Sequence, residues 1–195
     1  MIKLLRLVFR FFFRWYGWKL DWGLPRDIKK CVMVASPHTS NWDMVYGLAA
    51  FDMMRIPVRF TIKKEWMRFP MSLILKPLGG IGIDRSPKEG SQERKSMVEA
   101  MVELFDQYDE LVVLVTPEGS RSRRDQWRTG FYYVALKAKV PIGLGYLNYG
   151  KKEAGVGKIL YPTGDIDRDM REIMDFYRPM IAKFPENFSL DKRWS

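Results

Sequence analysis

Short apolar runs alternate with helical patterns along most of this 195-residue chain, and that alternation limits its fold more than any other feature. The runs cover residues 31–35, 58–62, 80–84, 111–116 and 141–147, with a less sharply marked one at 156–161. Each is short and strand-like, set off from its neighbours by helical patterns. Between them, helical patterns cover residues 41–55, 131–139 and 169–184. Another begins at Ser86-Pro87-Lys88-Glu89, a capping box with proline at the first helical position. It leads into Met97, Met101, Leu104, Phe105 and Tyr108, an apolar stripe at three- and four-residue steps. The expected fold class is therefore α/β, a mainly parallel central sheet flanked by helices. The length fits one domain with a full core. In such sheets ligands bind beyond the carboxyl ends of the strands, which draws attention to His38, Asp84-Arg85 and Glu118.

The first twenty residues read differently. Lys3, Arg6, Arg10, Arg14 and Lys19 stand there with no acid, half of the chain's net charge of +10. Spacings of three, four and four place the first four on one helical stripe. Leu, Phe, Trp and Tyr fill the rest. A cation interrupts every few positions, so no stretch approaches the ~20 apolar residues of a spanning helix. The same interruptions break a signal-peptide core. Residues 1–20 are expected to form an amphipathic membrane-interface helix, with aromatics among acyl chains and cations on anionic lipids. A core-packing helix with a solvated basic edge is the alternative. Residues 21–195 are expected to be one domain, joined to that helix through residues 21–30.

The net charge calls for an acidic partner. Basic residues among aromatics also suit nucleic acid, but the chain has no ribonucleoprotein signature, helix-turn-helix or zinc spacing. Cys31 is the only cysteine, which excludes a disulfide framework and a cysteine-rich zinc site. It lies inside an apolar run and reads as packing, not as a nucleophile.

Three motifs carry chemistry. His38 is the only histidine, followed by Asp43 in His38-Thr39-Ser40-Asn41-Trp42-Asp43. Five residues are about 500° on a helix, so the two side chains meet only if His38 sits in a loop and Asp43 in the first turn, with Thr39 or Ser40 as cap. The carboxylate then orients the ring and leaves one nitrogen as a base. Gly79-Gly80-Ile81-Gly82-Ile83-Asp84-Arg85 ends in a guanidinium fork suited to phosphate. Pro117-Glu118-Gly119-Ser120-Arg121-Ser122 offers groups for an anion or a hydroxyl.

In this order, with Val140-Pro141-Ile142 following, the set resembles the glycerolipid acyltransferase family, best known for the lysophosphatidic acid acyltransferases. That family shows H-x-x-x-x-D, a glycine-rich block ending in arginine, P-E-G-T-R-S and a V-P strand. Here Ser120 replaces the usual threonine and keeps its hydroxyl, and Pro37 stands where many members carry asparagine.

The resemblance implies an O-acyltransferase with His38 and Asp43 catalytic, and with Arg85, Glu118, Gly119, Ser120 and Arg121 binding the acceptor. Glu118 is expected to meet a hydroxyl or to position Arg121. The implied acceptor is a lysophospholipid, foremost 1-acylglycerol 3-phosphate, giving phosphatidic acid for phospholipid biosynthesis. The donor is acyl-CoA or acyl carrier protein, with no bound cofactor, no metal and no nucleic acid. The implied location is peripheral or monotopic on the cytoplasmic face of a membrane. Residues 69–78 are a candidate acyl-chain lining with core packing as the alternative, and Lys63-Lys64 beside Trp66 a possible basic contact. Two other readings are a lyso-aminolipid acceptor and a non-catalytic membrane- or nucleic-acid-binding protein.

Overall fold

The computed structural model describes residues 2–21, 25, 27–63, 67–83 and 96–195. Among these, seven strands build one sheet: β1 (Lys19–Asp21), β2 (Lys30–Ser36), β3 (Val58–Lys63), β4 (Gly80–Ile83), β5 (Leu111–Val115), β6 (Ile142–Asn148) and β7 (Glu153–Leu160). Their order is β1-β7-β6-β2-β5-β3-β4. Every pairing is parallel except β6 with β7. The helices are α1 (Ile2–Trp15), α2 (Asn41–Met53), α3 (Ser72–Leu78), α4 (Met97–Gln107), α5 (Gly130–Ala138) and α6 (Ile166–Tyr177).

Central strand β2 shows why its run is apolar throughout. Val32 and Val34 point into a core shared with α4, α5 and α6, which contribute Leu104, Phe105, Tyr132, Val134, Met170 and Tyr177. Cys31 and Met33 point to the other face, against Phe51 of α2 and Val156 of β7. Successive strand side chains alternate, so both faces need apolar residues once helices cover both.

The structure adds detail to several expectations. The N-terminal helix α1 ends at Trp15 and packs on the body of the molecule. Phe13 of α1 is buried with Trp18, Tyr46 and Ala49, and β1 pairs with β7 along Lys19↔Glu153, Leu20↔Ala154 and Asp21↔Gly155. This three-residue edge strand has no apolar run to announce it. It fits because Gly155 has no Cβ, which here would collide with the Asp21 carbonyl oxygen.

The last helix ends at Tyr177, not at 184. Pro179 lacks an N–H and restricts the residue before it, so the helix stops there. The capping box at Ser86–Glu89 lies outside the described residues, whereas α4 is capped by Ser96 and Glu99, each accepting the other's backbone N–H. Finally, the 69–78 segment holds the short helix α3 and exposes Phe69 (80% accessible) and Leu73.

Candidate active site

Strands β2 and β5 are parallel neighbours, so the chain leaving each turns at the same sheet edge. After β2 comes His38 and after β5 comes Glu118, which brings two of the three predicted groups together. Asp84 and Arg85, after β4, lie outside the described residues, as do Lys64 and Trp66.

Ser40 is the N-cap of α2, in extended conformation, its hydroxyl accepting from the Trp42 N–H. Asp43 completes the cap. Its Oδ2 accepts the backbone N–H groups of Thr39 at 2.6 Å and Ser40 at 2.7 Å, and lies 3.5 Å from Nδ1 of His38. Helix capping and ring orientation are thus the work of one carboxylate. Its other oxygen, Oδ1, accepts from the Tyr149 hydroxyl at 2.6 Å. Burial, followed by that bond to Asp43, pushes the Tyr149 phenol far above its ordinary range, so it stays a donor. Tyr149 is held edge-on against Trp18. No sequence signal marked it, because it lies more than a hundred residues from its partner.

Glu118 is only 6% exposed. Its Oε1 accepts from the Ser36 hydroxyl at 2.6 Å and from the His38 backbone N–H at 3.2 Å. Its Oε2 is buried with no hydrogen-bond partner among the described residues. Burial raises its pKa to about 7, against the opposing pull of the Ser36 bond and of His38. Among the described residues its hydrogen bonds run to Ser36 and to the His38 backbone, and it makes no ion pair with Arg121. It anchors the His38 loop from beneath.

The turn carrying Glu118 is closed by the Gly119 N–H on the Thr116 carbonyl, at 3.1 Å. Gly119 has φ +67, a conformation that favours glycine, whereas the Arg128 side chain that a Cβ there would meet is flexible enough to move. Ser120 turns its hydroxyl to the Ser122 carbonyl and accepts from Arg124. Arg121 stands at the rim of a cavity of about 200 Å³ whose mouth also includes His38, Ser36 and Thr116. Its wall and floor are apolar: Met44, Leu48, Phe51, Met54, Phe60 and Leu114. Of the side chains described in this segment, 69–73 and 75–78, none lines it.

The carboxyl-terminal segment also reaches this edge. The Phe184 N–H binds the Thr39 hydroxyl at 3.2 Å, and the Lys183 ammonium sits 5.1 Å from the Trp42 ring centre. Asp191 ties the same segment to the loop after β5, accepting from the Trp127 N–H and from the Arg193 guanidinium. Burial opposes its charge, yet these donors hold its carboxyl below the ordinary range. Cys31, by contrast, lies in the core, where burial pushes its thiol up to about 12.

A histidine oriented by a carboxylate, with Nε2 unpartnered among the described residues, is equipped to take a proton from a hydroxyl at the mouth of an apolar cavity. A family model described as Acyltransferase matches residues 24–143, which span both the His38 and the Glu118 turns. The chain belongs to the acyltransferase family. The search of curated proteins returns no match. Among solved structures, the chain is similar to the 1-acyl-sn-glycerophosphate (LPA) acyltransferase PlsC from Thermotoga maritima. The TM-score is 0.55 at 16% identity, covering 91% of this chain and 77% of that one. At that identity the likeness concerns the fold: the sheet flanked by helices is the acyltransferase architecture. β7, α6 and the closing segment lie beyond the matched residues, yet they supply part of the site's support.

Proposed function

We propose that this acyltransferase moves a fatty acyl group from acyl-CoA or acyl carrier protein to the hydroxyl of 1-acylglycerol 3-phosphate, giving phosphatidic acid. One observation carries the reading: the His38–Asp43 pair opens onto an apolar cavity rimmed by Arg121. The fold shared with PlsC supports it.

In this mechanism Nε2 of His38 removes the acceptor hydroxyl proton as that oxygen attacks the thioester carbonyl carbon. The tetrahedral intermediate collapses with loss of the thiolate, which takes the proton back from the imidazolium. The products are an ester and a free thiol, and no acyl-enzyme forms. Asp43 holds the ring and stabilises the imidazolium. The acyl chain lies along the apolar wall, and Arg121, Ser120, the Gly119 turn and Arg85 receive the acceptor's phosphate.

The enzyme docks peripherally on the cytoplasmic face of a membrane. Leu4, Leu7, Phe11 and Trp15 of α1 are exposed on its outer side. Among the described residues no helix is long and apolar enough to cross a bilayer. The predicted cation stripe is partly engaged within the protein, since Arg6 and Arg10 pair with Asp52.

The test is thiol release from acyl-CoA and from acyl carrier protein, with the acceptor in liposomes, for wild type, Arg121→Ala and Arg85→Ala. Turnover with lysophosphatidic acid, and a KM for that acceptor raised about tenfold in either variant, supports the reading. Turnover only with a lyso-aminolipid, indifferent to both arginines, replaces the acceptor. Absence of thiol release with every acceptor rejects the function.

A further inference from the structure

A second cavity, of about 370 Å³, lies between α1, the end of α2 and the start of β3. Arg6, Arg10, Arg55 and Arg59 line it around an apolar floor that includes Phe9 and Leu78. Asp52 is its one acid among the described residues and is already engaged by Arg6 at 3.2 Å and Arg10 at 2.5 Å. Arg55 and Arg59 are exposed and have no ion-pair partner among the described residues. Four guanidinium groups thus face one carboxylate, an arrangement complementary to an anion.

Arg55 also occupies an unusual backbone position. It follows α2 with φ 60, while the Ile56 N–H reaches the Phe51 carbonyl and the Arg55 N–H the Asp52 carbonyl. This is the left-handed closure at which helices usually place glycine.

The position of the cleft on α1 narrows the choice of anion. At 100° per residue, Leu4, Leu7, Val8, Phe11 and Trp15 form the outward apolar face, and Phe9 and Phe13 face the protein. Arg6, Arg10 and Arg14 lie on the flank between them, and the cleft opens on that flank. When a bilayer receives the outward face, lipid phosphates come to the depth of this flank. The cleft is separate from the acyl-transfer site, though the two share a wall. It adjoins the carboxyl end of α2, about 13 Å of helix from Asp43, with Leu48 and Phe51 as the wall between the two cavities.

We propose that this cleft binds the anionic headgroup of a membrane phospholipid, with Arg55 and Arg59 holding its phosphate. This rests on the reading of the chain as a membrane-docked acyltransferase. It adds a specific lipid site that orients the enzyme on the bilayer, distinct from the acceptor site at His38.

The experiment is flotation of the full chain with vesicles of phosphatidylcholine alone and of phosphatidylcholine mixed with phosphatidylglycerol. Wild type is compared with Arg55→Gln/Arg59→Gln and with Arg55→Lys/Arg59→Lys. Arg55→Gly/Arg59→Gln guards against misfolding, because glycine suits the backbone at 55. Donor KM is measured on the same proteins. The glutamine and glycine variants are expected to lose roughly thirtyfold in affinity for the mixed vesicles. Their weaker binding to phosphatidylcholine stays unchanged, and the lysine variant keeps most of the selectivity. Mixed-vesicle affinity equal to wild type overturns the proposal. So does unchanged vesicle binding with a raised donor KM, which assigns the cleft to the thioester's phosphates. Failure of acyl transfer in the wild type would reject the proposed reaction while leaving the vesicle readout intact.

Discussion

Two carboxylates meet His38 by different routes. Asp43 faces the ring, and Glu118 holds the backbone N–H of the same residue. Glu118 carries a cost, since its second oxygen is buried without a partner among the described residues. Folding raises its pKa from an ordinary 4.5 to about 7, so between these values the folded state holds a proton that the unfolded chain has lost. The wild type therefore loses stability as pH rises through that window. Glu118→Gln cannot ionise, and its stability relative to wild type should improve on going from pH 4.5 to 8 by on the order of 3 kcal/mol. Denaturant titrations at the two pH values check this, and a difference independent of pH contradicts it. Glu118→Ala should lower kcat with little change in acceptor KM, because it loosens the loop under the base. A raised KM at constant kcat would return Glu118 to the role of a substrate ligand. Cys31→Ala should keep kcat within about twofold, and the native thiol should resist alkylation, as a buried thiol with a pKa of about 12 does. The motif singled out Glu118 but could not give its partners Ser36 and the His38 backbone, since spacing along a chain carries no information on which way a buried side chain turns.

Among the elements, α1 joins two roles that its sequence pattern superimposes. Phe13 is buried in a cluster with Trp18, Tyr46 and Ala49, while Leu7 and Phe11 stay outside. Phe13→Ala should cost about 3–5 kcal/mol in chemical denaturation, as truncation of a core aromatic does. Leu7→Asp should leave stability within about 0.5 kcal/mol, as surface changes do, and weaken binding to vesicles. Equal, small effects of both would make α1 a detachable anchor. Strands β2, β5 and β6 were legible because strands covered on both faces must be apolar throughout. β1 was not, as an edge strand of three residues is selected by its neighbour's missing Cβ and not by its own side chains. The end of α6 was readable from Pro179, but the apolar residues beyond it extended the apparent period. Those residues pack as a strap over the edge of the sheet, where Phe184 binds Thr39.

For the molecule as a whole, the parallel sheet sets the arrangement of the site. Adjacent strands β2 and β5 deliver His38 and Glu118 to one edge, the capping turn of α2 presents Asp43, and Tyr149 follows directly on the carboxyl end of β6. The order of the sequence motifs was sufficient to locate this edge; the support from Tyr149, Ser36 and the closing segment required the three-dimensional contacts. The most direct measurement is steady-state thiol release from an acyl thioester with lysophosphatidic acid in liposomes, comparing wild type with His38→Ala. Loss of the base should lower kcat by about 10²–10⁴ with the folded structure retained by circular dichroism. Undiminished kcat in a folded His38→Ala protein would contradict general-base acyl transfer at this site.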